Sequence, residues 1–123
     1  MLTLNGRSIA VTGGSGFIGR RLIRGFLDAG ASVRALLRSP DAWGPMSDRL
    51  ELKRFDLGTP EAWGEALDGT DAVCHAGAFK PPNHRDSAFA AECFRTNALG
   101  TLALLESAAR AGVRRLCACG KRA

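Results

Sequence analysis

The stretch Val11-Thr12-Gly13-Gly14-Ser15-Gly16-Phe17-Ile18-Gly19 restricts the fold more than any other part of the chain. It joins a short apolar, β-branched run, Arg7–Gly13, to a segment where Phe17, Ile18, Leu22, Ile23, Phe26 and Leu27 recur at helical spacing until Gly30 stops it. A strand that turns through glycines into a helix presents bare backbone N–H groups at a helix N-terminus. Such groups hold an anion, and any Cβ would keep it away. The spacing gives each glycine its own role. Gly13 permits the tight turn, Gly16 the close approach of a pyrophosphate, and Gly19 the packing of helix on strand. A merely tight connection is the plainer alternative. No Gly-Lys-Ser/Thr follows, which excludes the usual triphosphate loop.

Strand and helix keep alternating downstream. Ala31–Arg38 reads as a second strand, and Leu50–Leu57 as a third after a polar, proline-bearing loop. Thr59 can cap a helix that has Pro60 at its first position and runs to about Asp68. Asp71–Ala78 is the fourth strand and its exit. A long helix is expected from Ser87 to about Ala111, with Phe89, Cys93, Leu102, Leu105 and Ala109 as its apolar stripe and Gly112 as its end. Val113–Cys119 reads as a fifth strand. Near-continuously apolar strands between helices predict an α/β fold with a parallel sheet covered on both faces. Right-handed crossovers then give a Rossmann-type doubly wound sheet of five strands in the order 3-2-1-4-5.

With 123 residues, 46% of them hydrophobic and 24% charged, the chain fits one globular domain. No run approaches the ~20 apolar residues of a membrane span. Met1–Gly6 is too short and polar for a signal peptide, so a cytoplasmic protein is expected. Lys and Arg number 17 against 12 acids, a net charge of +5. The arginines are spread along the chain, which favours a solvated surface with some phosphate affinity over a nucleic-acid interface. Cys74, Cys93, Cys117 and Cys119 show no metal-ligand spacing and are expected to be reduced core residues.

The second strand bears on the choice of nucleotide. NAD sites place an acid at its end, roughly 20 residues past the glycines, to hold the ribose 2′-hydroxyl. Here Leu37 stands at that place with Arg38 beside it. Arginine can pair with a 2′-phosphate and stack on adenine, so NADP is favoured, with NAD the alternative cofactor and a solvated surface arginine the plainer reading of Arg38. Arg34 lies before the strand's end and is not expected to take part.

Together these stretches resemble the extended short-chain dehydrogenase/reductase superfamily, specifically its NAD-dependent epimerase/dehydratase group, from about Ser8 to Leu116. Val11–Gly19 resembles the cofactor loop, with Gly13, Gly16, Phe17, Ile18 and Gly19 as carried-over binding positions. Val33–Pro40 resembles an NADP-preferring second strand ending in Arg38. Phe55-Asp56-Leu57 is similar to the adenine-contacting segment, where Asp56 would accept from the adenine amino group; a plain turn residue is the alternative. Val73–Ala78 resembles the fourth-strand exit, where Ala76, Gly77 and Ala78 would line the ribose and diphosphate. Asn97 would brace the loop after that strand, with a place on the solvent face as the alternative, and His75 reads as a hydrogen-bonded wall residue rather than a base.

The resemblance implies catalysis by a serine after the fifth strand and a tyrosine followed four residues on by a lysine, the lysine lowering the phenol pKa. This chain has no tyrosine, and Lys121 stands at the expected serine. Residues 1–123 are therefore expected to be the cofactor-binding part of an NAD(P)-dependent epimerase/dehydratase or reductase, truncated after strand five and inactive alone. A non-catalytic NADP-binding sensor is the alternative. No catalysis is assigned to Cys117 or Cys119. The fifth strand would be an open apolar edge, inviting self-association.

Overall fold

The computed structural model of the protein describes residues 3–43, 47–83 and 85–119. Five strands, β1 (Ser8–Thr12), β2 (Ser32–Leu37), β3 (Leu50–Arg54), β4 (Ala72–His75) and β5 (Arg115–Ala118), form one parallel sheet in the order β3-β2-β1-β4-β5. This is the expected doubly wound order. The chain steps outward from β1 to β3, then restarts on the other side of β1, and the reversal opens a crevice at the carboxyl ends of β1 and β4.

Alternation along the strands feeds two apolar layers. Ile9 and Val11 of β1 join Ile23, Val33, Ala35 and Leu37 beneath helix α1 (Phe17–Asp28). Ala10 faces the other way and packs with Leu36, Phe55, Trp63, Val73 and Leu104. Central strands are thus buried on both sides, which is why they read as continuous apolar runs. Both long helices stop as expected. Ala31 N–H donates to Phe26 O and Gly30 N–H to Leu27 O, and the pattern repeats as Val113 to Ala108 and Gly112 to Ala109, so a glycine turns the chain while the last carbonyls find donors.

Three expectations change. No helix runs from Pro60 to Asp68: a single 3₁₀ turn, Pro60–Ala62, gives way to turns, and Thr59 makes no side-chain cap. Trp63 is the cause. Its Nε1–H donates to Asp56 O at 2.7 Å and its ring stacks on Phe55 at 4.6 Å, folding the segment back on β3. The long helix is continuous from Ser87 to Arg110 but not uniform: a 3₁₀ turn (Ser87–Phe89), α2 (Ala90–Cys93), a π-helical stretch (Phe94–Leu99) and α3 (Gly100–Arg110) follow one another. Its inward face is Gly100, Leu104 and Ala108, whereas Leu102 and Leu105 are 51% and 47% exposed. At Gly100 the helix approaches a loop so closely that a Cβ would stand 2.7 Å from Leu57 O.

The four cysteines are free, and their burial is uneven: Cys74 is half-buried and packs against the core, Cys93 is half-buried, and Cys117 and Cys119 are exposed, unlike the core residues expected. Burial, with Cys117 and Cys119 nearby, pushes the Cys74 thiol up to about 11. Two of the arginines serve the fold itself. Arg34 Nη1 donates to Ala66 O and Asp68 O at 2.8 and 2.7 Å, and Arg49 Nη1 to Leu27 O and Ala31 O at 2.9 and 2.7 Å. Among the described residues no helix is long and apolar enough to cross a membrane, and no side-chain cluster could hold a metal ion. Leu104→Ala should cost about 2–5 kcal/mol in urea unfolding, and Leu102→Ala about 0.5 kcal/mol or less. Equal costs would contradict this facing of α3.

Candidate functional site

The loops leaving β1, β2, β3 and β4 enclose a cleft of ≈ 590 Å³. The first turn supplies Gly13 and Gly16, and Arg38 stands just past the end of β2. Asp56 and Leu57 follow β3, and Ala76, Gly77 and Ala78 follow β4. Eight of the twelve residues expected at a site therefore line one cavity.

The glycines differ in what they tolerate. Gly13 has φ +67, and a Cβ there would meet Gly77 Cα at 2.7 Å. Gly19 is pressed on the turn, so that its Cβ would run into the Gly13 carbonyl oxygen and stand 2.8 Å from Gly13 C. Gly16 is unlike both. Its Cβ would have only Gly13 O near it, at an ordinary 3.4 Å, so the protein leaves that space open to the cleft. Gly16 also caps α1 without any side-chain bond, and the first turn holds no acid. The amides of Phe17, Ile18 and Gly19 are thus uncapped donors in a field that favours an anion. The side chains of Phe17 and Ile18 are 73% and 52% exposed and do not line the cleft, so these positions can offer it only main chain.

Asp56 does two things at once. Its Oδ1 accepts from Gly58 N–H at 2.9 Å, shaping the turn, while the exposed residue faces the cleft. Arg38 is exposed, and its carbonyl is held by Arg54 Nη1 at 3.0 Å. Asn97 lies outside the cleft lining. Its Oδ1 accepts from Phe79 N–H at 2.7 Å and its Nδ2 donates to Phe79 O at 3.0 Å, the bracing expected of it, with both ends of the amide committed. Lys121 lies outside the described residues.

A buried network fixes the wall between β1 and β4. Thr12 Oγ1 accepts from Ala76 N–H and Gly77 N–H, both at 3.0 Å, and lies 2.6 Å from His75 Nδ1. With both lone pairs engaged, the Thr12 hydroxyl must donate to Nδ1, so the His75 proton sits on Nε2 and points to Thr101 Oγ1 at 3.0 Å. Burial lowers the His75 pKa from 6.5, and a second proton would face a hydroxyl with no acceptor left. His75 is a wall residue.

Sequence reasoning passed over Lys80, Glu92, Arg95 and Thr96, which also line the cleft. Arg95 and Thr96 adjoin Asn97, and a polar triplet inside a helix was the available signal. With Arg38, the rim carries three cations against Asp56 and Glu92.

A five-stranded parallel sheet of this order, with a glycine turn opening on its switch point, defines a Rossmann-type nucleotide-binding domain. The chain belongs to the NAD dependent epimerase/dehydratase family, whose model matches residues 9–120. It is 34% identical over 115 residues to the 3β-hydroxysteroid dehydrogenase/Δ5→4-isomerase of Mycobacterium tuberculosis, covering 87% of this chain and 30% of that protein. A quinoline-oxide ketoreductase of Stigmatella aurantiaca (4-hydroxy-2-methyl-3-oxo-4-farnesyl-3,4-dihydroquinoline-1-oxide ketoreductase) is 38% identical over 109 residues, with 86% and 31% covered. Among solved structures, a short-chain dehydrogenase/reductase superfamily protein from Agrobacterium tumefaciens with bound NAD matches at 32% identity and a TM-score of 0.76, covering 91% of this chain and 32% of that one. The chain spans about a third of the length of these relatives.

The His75 network makes stability pH-dependent. The unfolded imidazole takes up a proton near 6.5, the folded one only at lower pH, so stability is full above 6.5 and falls as pH drops toward the lowered folded value. Denaturant midpoints between pH 8 and 5 should show this loss, and His75→Gln should flatten it. An unchanged slope in the variant would contradict the assignment.

Proposed function

We propose that this chain is the dinucleotide-binding part of an NAD(P)-dependent oxidoreductase or epimerase, with NADP the preferred cofactor. One observation carries the reading: the open space at Gly16 beside an uncapped helix N-terminus, at the switch point of a parallel sheet. Main-chain donors and a space that a Cβ would fill suit a diphosphate. In this reading the amides of Phe17, Ile18 and Gly19 hold the diphosphate across the gap at Gly16, with Gly13 shaping the turn. Asp56 and Leu57 flank the adenine, Ala76, Gly77 and Ala78 line the ribose and diphosphate, and Asn97 fixes the Phe79 wall. Arg38 pairs with a 2′-phosphate. When bound, the cofactor supplies hydride exchange.

The relatives support the same direction: one is named a dehydrogenase/isomerase, another a ketoreductase, and a third was solved with NAD. Because the chain has no tyrosine, the family's proton donor would have to come from elsewhere, and this chain alone should bind cofactor without turnover.

NADPH should bind at least about tenfold more tightly than NADH, because a charge-assisted guanidinium–phosphate pair separates the two, and Arg38→Asp should reverse the order. Calorimetry giving equal affinities would remove the NADP preference and leave the dinucleotide reading to stand on Gly16. We also propose self-association of this chain through β5, an edge strand that pairs only with β4 among the described residues. Light scattering should find oligomers. A monodisperse, cooperatively melting monomer would contradict the open edge and favour a self-sufficient sensor.

A further inference from the structure

A second cavity, of ≈ 480 Å³, adjoins the first and shares Phe79 and Lys80 with it. It lies between the loop that leaves β4 and the first turns of the long helix. Its apolar part comes from Phe79, Pro81, Phe89 and Cys93, with the two phenylalanine rings 6.2 Å apart and tilted by 48°. Both rings are only half-buried, so apolar surface is presented to the cavity rather than consumed in the core. The two hydrogen bonds from Asn97 hold Phe79 by its backbone, as a ladder partner would, and fix this wall. Asp86 Oδ1 accepts from Ala88 N–H at 2.9 Å, committing the carboxylate to the start of the helix. Lys80 and Arg85 stand at the rim, and neither enters an ion pair among the described residues.

Volume, aromatic lining and a few polar groups are those of a small-molecule site. A core of tilted rings selects a flat, apolar ring body. Two cations beside one committed carboxylate select an anionic group on it. We propose that this cavity is the substrate-side site, and that it takes a planar ring compound bearing a carboxylate or similar anion next to the dinucleotide. The assignment to substrate rests on the cofactor reading above; the ligand class does not.

The probe is 2-naphthoate, titrated into ¹⁵N-labelled protein with and without NADPH. Saturable shifts are expected at the amides of Phe89 and Ala90 and at the Asn97 side-chain NH₂, and NADPH should leave them in place, whereas Phe79 and Lys80, which line both cavities, should respond to either ligand. The neutral 2-naphthylmethanol should bind the same residues about three- to fivefold more weakly, the size of an exposed charge pair. Arg85→Ala should weaken 2-naphthoate by a similar factor. Ala90→Trp should block it by filling the cavity, while NADPH still shifts Gly13 and Gly16 in both variants. If NADPH shifts those glycines but 2-naphthoate moves nothing between residues 79 and 97, the cavity proposal is overturned. Equal affinity for acid and alcohol overturns the anionic class. Naphthoate shifts in the cavity without any response to NADPH would instead remove the cofactor reading and with it the substrate role.

Discussion

The contact on which the site depends is that of Gly19 on the Gly13 carbonyl. A helix that starts a few residues after a strand can lie over the sheet only if its first turn touches the connection, and a side chain at residue 19 would prevent that. The contact sets the height of α1 above β1. The N-terminal amides of α1 then stand at the edge of the crevice instead of being lifted away from it. Gly13 and Gly19 serve the protein's own packing, and Gly16 alone leaves room for something else. That division separates glycines required by packing from one that faces open space, which a pattern of three glycines cannot do.

The other half of the crevice is held by polar bonds. Thr12 is the last residue of β1, and its single hydroxyl ties the β4 exit, through Ala76 and Gly77, to His75. Through Thr101 the same network reaches the long helix, which holds Phe79 by Asn97 one turn earlier. The π-helical stretch, Phe94–Leu99, includes Arg95, Thr96 and Asn97. A widened helix turns less per residue, so neighbouring residues can serve adjoining cavities: Arg95 and Thr96 the first, Asn97 the second. Local backbone irregularity and cleft wall coincide here.

Much of this was legible in the sequence, because the signals were short-range. Strand order, helix ends, Gly13 and Gly16 followed from five apolar runs, two glycine stops and one glycine turn, and Arg38 from its place after the second strand, whereas Asp56, Leu57, Ala76, Gly77 and Ala78 came from the family resemblance. What escaped depended on particular side-chain partners. Thr59-Pro60 is a sound helix start, but Trp63 reached back to Phe55 and Asp56 and won. Leu102 and Leu105 outrank Gly100 in hydrophobicity, yet the face that turns inward is that of Gly100, Leu104 and Ala108, where Gly100 lies against Leu57. Lys80 and Arg95 carry no periodicity, and only the fold brings them beside the glycine turn.

The most direct test of the account is the replacement of Gly16 by alanine. Since no atom beyond the adjacent residues lies closer than 3.4 Å to the added Cβ, the melting behaviour should stay that of the parent chain, while dinucleotide affinity measured by calorimetry falls by about tenfold or more. Undiminished binding by the folded variant would contradict the claim that the backbone amides around residue 16 hold the ligand.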